Sequence, residues 1–101
     1  MNIHLTKKSR KRVNSLLEIC RQTNGEYLPS NHGAGSWATT YSNYFILAAT
    51  EIVSIFQYER INDPISELSK SFTSKGIKSC RGASMDYQRT KYLYQKHLKD
   101  K

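Results

Sequence analysis

The sequence predicts an all-α domain: a small bundle of three to four helices around a central apolar helix at about residues 38–57, with basic N- and C-terminal segments. Three observations carry this. Apolar residues recur at helical spacing in four separate segments, and no stretch alternates with period two. Helix-starting and helix-stopping residues also stand where the periodic runs begin and end. The chain has 101 residues, 38% of them hydrophobic, which suits one domain over residues 1–101 with one modest core. Residues 1–6 and 99–101 read as frayed ends, and no internal repeat is visible.

The first helix is expected to open after Thr6 and run to about Thr23. Val13, Leu16, Leu17 and Cys20 fall at i, i+3, i+4 and i+7, and Ile19 widens the stripe. Thr6 is a suitable N-cap, and Gly25 stands where a left-handed stop is wanted. Residues 24–37 then read as a loop, marked by Asn24-Gly25, Pro29 and Gly33-Ala34-Gly35-Ser36. A connection of this length is unusual in a small domain, and such loops are often binding loops or mobile segments. Pro29 is the one position where a cis prolyl bond is plausible.

The second helix, from about Ala38 to Gln57, carries Tyr41, Tyr44, Phe45, Ala48, Ile52, Ile55 and Phe56 on one face. Leu47, Ala49 and Val53 broaden that face. A helix apolar over most of its circumference is normally packed on several sides, so this one is expected to be the core. Its acids Glu51 and Glu59 read as a solvated edge. The third helix has the clearest start: Asp63 as N-cap, Pro64 at the first position, Glu67 in the first turn. Ile65, Leu68 and Phe72 follow before Gly76. Residues 73–83 show no periodicity and read as a basic loop. A last helix begins near Ser84 or Asp86 and mixes Tyr87, Tyr92, Leu93, Tyr94 and Leu98 with Arg89, Lys91, Lys96 and Lys99.

Charge is divided along the chain. Residues 1–21 carry six Lys/Arg against Glu18, a local net of +5, and residues 70–101 carry nine against Asp86 and Asp100, a net of +7. The segment between has five acids and only Arg60, a net of −4, which leaves +8 overall. Such a split points to an anionic partner met through the ends. The basic residues at 7, 8, 10, 11 and 12 sit in the first two turns of their helix, where the macrodipole disfavours cations. A sequence that accepts this cost either places them for a partner or lets this end fray.

Several chemistries find no support. His4, His32 and His97 stand far apart, without Cys or carboxylate at ligand spacing, so no metal or other cofactor is expected. His32-Gly33-Ala34-Gly35-Ser36-Trp37-Ala38 holds a Gly-x-Gly-x-x-Ala run before a helix. It lacks the preceding strand and βαβ unit of a dinucleotide site, and no P-loop Lys follows. No nucleophile-elbow pattern surrounds Ser36 or Ser84. The reading is a non-enzyme without a small-molecule substrate. Cys20 and Cys80 form neither a disulfide framework nor a zinc set, which reads as a reducing, cytoplasmic compartment. No apolar signal region follows the basic opening. The most apolar run, Phe45 to Phe56, contains Glu51 and falls short of the roughly 20 residues of a span, so no membrane partner is expected.

The candidate binding residues are Lys7, Lys8, Arg10, Lys11 and Arg12 in the first helix and Trp37 in the loop. Lys78, Arg81, Arg89, Lys91, Tyr94 and Lys96 complete the set toward the C-terminus. Cations that neutralise phosphates beside aromatics that stack on bases suit nucleic acid. Exposed Tyr and Arg suit a protein interface equally. Helix-turn-helix readout of the major groove is not supported, because no two strong helices are joined by a 3–4-residue turn.

The basic opening Lys7-Lys8-Ser9-Arg10-Lys11-Arg12, the abundant Tyr and Ser and the basic C-terminal helix from Arg89 to Lys101 resemble those of small accessory proteins of temperate phages. Within that set the chain is similar to the lambdoid anti-RecBCD proteins. The likeness is one of size, charge and helical content over the whole chain, without a motif that carries residues across. It implies a non-enzymatic protein that binds a host protein complex of DNA metabolism, a RecBCD-like helicase–nuclease, and alters its activity in the host cytoplasm. The alternative is a protein that binds DNA or RNA directly, largely without sequence preference.

Overall fold

Thr6 starts the helical architecture where the sequence places it. In the computed structural model, which describes residues 5–24, 28–29, 39–80 and 82–99, helix α1 spans Lys7–Gln22. The Thr6 hydroxyl accepts the Ser9 N–H at 3.2 Å, which satisfies one of the free amides at the helix start. Val13, Leu16, Leu17 and Cys20 are buried, as the periodicity requires. The helix stops at Thr23, whose hydroxyl donates to the Ile19 carbonyl at 2.8 Å. Gly25 lies outside the described residues. Leu5 is buried, and the Lys99 N–H bonds the Tyr94 carbonyl at 2.8 Å; residues 1–4, 100 and 101 lie outside the described residues.

Strand β1 (Leu28–Pro29) pairs antiparallel with β2 (Thr39–Thr40), Leu28 opposite Thr40 and Pro29 opposite Thr39. No cis peptide bond occurs among the described residues, so Leu28–Pro29 is trans. This ladder moves the start of the second helix. Thr39 and Thr40 are β-branched and take the extended form. Ser42 then caps helix α2, Asn43–Tyr58, by accepting the Phe45 N–H at 3.2 Å. The expected start at Ala38 is five residues too early.

The next two connections both begin with a Schellman closure. After α2, the Ile61 N–H reaches the Phe56 carbonyl and the Arg60 N–H reaches Gln57, both near 3.0 Å (3.0 and 3.1 Å). After α3 (Pro64–Ser74), Ile77 bonds Phe72 and Gly76 bonds Thr73 in the same pattern, at 2.9 and 3.1 Å. The residue between takes the left-handed conformation that such a stop requires: Arg60 at φ 59° and Gly76 at φ 70°. Asp63 caps α3 as predicted, accepting the Ser66 N–H at 3.2 Å.

Residues 73–80 and 82–83 are more structured than a basic loop. α3 runs through Ser74, the second Schellman closure buries Ile77, and Lys78 bridges Ser84. Helix α4 (Tyr87–Leu93) is capped by Asp86 and continues as a π-helical turn over Tyr94–Leu98. Leu93 and Leu98 stand five residues apart, a spacing that an α-helix would put on different faces. The five-residue hydrogen-bond span of the π turn brings both into the core.

The four helices thus form an all-α bundle, with the two-residue ladder as its only extended pairing besides the Lys78–Ser84 bridge among the described residues. The core centres on Phe45 of α2, stacked on Tyr41 at 4.9 Å and tilted against Phe72 of α3 at 5.6 Å. Met85 joins α3 to α4: its carbonyl accepts the Ser69 hydroxyl at 2.8 Å, and the Tyr41 hydroxyl donates to its sulfur at 3.7 Å. α2 is central, but it is not enclosed. Tyr44 and Leu47, expected in the core, are exposed. α1 covers one side and α3 with the α4 continuation another, which leaves a third stripe open.

Candidate interaction surface

α1 brings Lys7, Lys8, Arg10, Lys11 and Arg12 into its first two turns without an acid of its own there. α2 supplies what α1 lacks. It runs antiparallel, so its C-terminal acids reach the N-terminal end of α1. The Glu59 carboxylate accepts the Thr6 N–H at 2.8 Å. Glu51 takes the Arg12 guanidinium in two bonds, Nε at 2.6 Å and Nη2 at 2.9 Å. Both carboxyls lie below the usual glutamate range, Glu59 through the Thr6 amide and Glu51 through Arg12. Glu51 and Glu59 are therefore interhelical ties and not a solvated edge. Arg12, expected to face a partner, spends its fork on Glu51. Lys7, Lys8, Arg10 and Lys11 are exposed.

The second basic group lies on the C-terminal segment. Asn24, at the end of α1, clasps the Lys78 backbone, donating to its carbonyl at 2.8 Å and accepting its N–H at 2.9 Å. The Lys78 residue is exposed, as are Lys91 and Lys96. Arg89 is exposed but engaged: its guanidinium meets the Asp86 carboxylate at 3.0 Å and the Ser84 carbonyl at 3.5 Å. Tyr94, expected at the binding surface, is half-buried and packed against the core, while Tyr92 is 63% exposed. Trp37 and Arg81 lie outside the described residues.

The two basic groups do not converge. Thr6 and Arg12 fix the first beside the C-terminal half of α2. The second is fixed beside its N-terminal end, where Tyr41 meets His97 edge-on at 5.8 Å. The first group lies along the Glu51–Glu59 half of α2, and the second lies beyond its N-terminal end.

Clefts open between elements of the described residues. One of about 330 Å³ lies between α1 and α3, lined by Asn14, Leu17, Glu67 and Ser71 among others. The Ser71 hydroxyl is buried there with no hydrogen-bond partner among the described residues. Another, about 470 Å³, brings Cys80, Asp86 and His97 together with Tyr41 and Tyr92, a grouping the sequence could not signal. A nucleophile–base–orienter set needs a carboxylate available to the imidazole. Asp86 is committed elsewhere: one oxygen caps α4 through the Arg89 N–H at 2.9 Å and the other holds the guanidinium. Among the described residues no three His, Cys, Asp or Glu side chains group to hold a metal, and no helix is long and apolar enough to cross a membrane.

Comparison with known protein families, characterised proteins and solved structures returns no match for this chain.

Proposed function

We propose that the chain is a non-enzymatic accessory protein that binds a host DNA-processing enzyme of the helicase–nuclease kind and modulates or inhibits it. The observation that supports this reading best is the separation of its exposed cations into two groups, Lys7, Lys8 and Lys11 at one end of α2 and Lys91 and Lys96 at the other. A surface of this kind grips two acidic points on a large partner. Exposed aromatic residues lie beside the cations, Tyr58 at the first end and Tyr92 at the second, and such residues commonly anchor protein interfaces.

A second reading, direct sequence-independent binding of nucleic acid, rests on one stripe of the C-terminal segment. Arg89 and Tyr92 stand at i and i+3 on α4 and line one cleft with His97, a base-stacking ring beside a cation.

Capture from host lysate with and without exhaustive nuclease digestion separates the two. The proposal expects the helicase–nuclease to stay bound after digestion, to lose activity on DNA ends, and to be released by charge reversal at Lys7, Lys8 and Lys11 or at Lys91 and Lys96. Capture that vanishes with the nucleic acid overturns it. In that event binding to a DNA oligonucleotide should weaken with salt by nearly one log unit per log of salt for each phosphate neutralised.

A further inference from the structure

Four of the large hydrophobic residues on the outside of this protein share one face. The Arg12–Glu51 ion pair joins α1 to α2 across their antiparallel packing. Seven residues further along α1 is Ile19, and seven back along α2 is Tyr44. Each lies two turns from the pair in the same spatial direction and on the same helical stripe. Leu47 is one turn from Glu51 on that side. In the other direction, Tyr58 follows Glu51 by two turns and Lys8 precedes Arg12 by one. Ile19 is 38% exposed, Leu47 62%, Tyr44 68% and Tyr58 81%. The open face of α1 and α2 is thus an apolar band at one end, the ion pair in the middle, and a tyrosine among cations at the other end.

The cations at the Tyr58 end outnumber the acids able to answer them. Lys7, Lys8, Lys11 and Arg60 are exposed there. Glu51 is neutralised by Arg12, which leaves Glu59 and Asp63, each also accepting a backbone N–H, as two acids against four cations. A second copy of the chain brings the same acids and the same +8 charge, so it does not answer these lysines. Nucleic acid would meet the Glu51 carboxylate in the middle and aliphatic Ile19 and Leu47 beyond it. A protein helix that is apolar along one stripe and acidic at its flanks matches both halves: it buries its apolar side on Tyr44, Leu47 and Ile19 and sets its acids on Lys8 and Lys11.

We infer that the α1/α2 face is a docking surface for an acidic amphipathic helix of a partner protein. The inference rests on the protein-binding reading above and specifies which surface makes the contact.

Its test uses an 18-residue synthetic helix with Leu at i, i+3, i+4 and i+7 and Glu elsewhere. A Lys-for-Glu counterpart and a single-stranded DNA oligonucleotide serve as controls. Each is titrated into the isotope-labelled full chain and followed by NMR shifts. The acidic helix should bind with shifts centred on Ile19, Tyr44, Leu47 and Tyr58, at least tenfold more tightly than the basic one. The exposed substitutions Leu47→Asp and Tyr58→Ser should weaken it at least tenfold, with melting temperatures showing the fold intact. Shifts elsewhere, unchanged affinity in the two variants, or preferential shifts of this face by DNA would overturn the inference. So would a dimer of the chain alone that Leu47→Asp dissolves. If the helix fails to bind while the helicase–nuclease is still captured, the docking surface falls and the proposed function stands. If the helix binds as described but capture depends on nucleic acid, the docking surface stands and the proposed function falls.

Discussion

The Glu59 carboxylate, at the C-cap of α2, accepts the Thr6 backbone N–H at 2.8 Å. One residue thereby answers two electrostatic problems. Glu59 sits at the helix end where an acid is unfavourable, and α1 opens with cations where an acid is wanted. Antiparallel packing sets the positive end of α1 against the negative end of α2, so each misplaced charge meets its opposite.

That arrangement makes stability depend on acid. Glu51 and Glu59 titrate below their ordinary range in the folded chain. Their contribution is therefore complete above the ordinary glutamate value, about 4.3, and is lost as pH falls through the lower folded values. Melting temperatures from pH 7 to 3 should drop for the native chain. The double substitution Glu51→Gln with Glu59→Gln should lower Tm at pH 7 and flatten the slope below pH 5. Equal slopes in the two proteins would remove these carboxylates as the cause.

Arg60 and Gly76 occupy equivalent left-handed positions at the ends of α2 and α3. A non-glycine residue there costs about 1–2 kcal/mol, and glycine returns about 0.5–1 kcal/mol of that in unfolded-chain entropy. Arg60→Gly should therefore stabilise by about 0.5 kcal/mol. Gly76→Ala should destabilise by about 1 kcal/mol, through backbone conformation alone, because an added Cβ meets nothing within 4 Å. Urea denaturation reads both, and a stabilised Gly76→Ala would contradict the account.

Two buried positions should respond in opposite directions. Phe45→Ala removes the ring that joins Tyr41 to Phe72 and should cost about 3–5 kcal/mol. A domain of this size is stable by only about 5–15 kcal/mol, so the loss should show as a melting temperature lower by more than about 10 °C in circular dichroism. Ser71→Ala deletes a buried hydroxyl without a partner and should gain about 1 kcal/mol. A loss on Ser71→Ala would mean that the hydroxyl has a bonded water in solution.

The two thiols should be kinetically distinct. Cys20 is buried and its thiol is pushed up to about 12 by desolvation, whereas Cys80 lies at the rim of the larger cleft. Reaction with a thiol-specific disulfide reagent at pH 8 should show one fast equivalent, absent in Cys80→Ser. The second should appear at the rate of unfolding, because thiolate is the reactive form. Two equally fast equivalents would refute the buried assignment.

Much of this architecture is legible in the sequence because it is local. A cap needs only a side-chain oxygen three residues before an amide, so Thr6 and Asp63 could be read directly and Asp86 only as one of two candidates with Ser84. The buried stripe of α1 and Leu68 and Phe72 of α3 followed from periodicity. The start of α2 was misplaced because Thr39 and Thr40 pair with a strand remote in sequence, and helical periodicity carries no record of that. Ile77 was missed for a related reason: its burial follows from the Schellman turn at Gly76, not from a repeat.

The candidate surface was less legible than the fold. Sequence alone determined that cations crowd both ends and acids the middle, since charge is a property of composition. It could not determine which cations face outward. That depends on pairs such as Arg12 with Glu51, 39 positions apart, and on the antiparallel packing of α1 and α2. The open stripe of Tyr44, Leu47 and Tyr58 was likewise decided in three dimensions. A strongly apolar helix announces that it will be buried, but only the number and placement of its neighbours fixes how much of its circumference they cover.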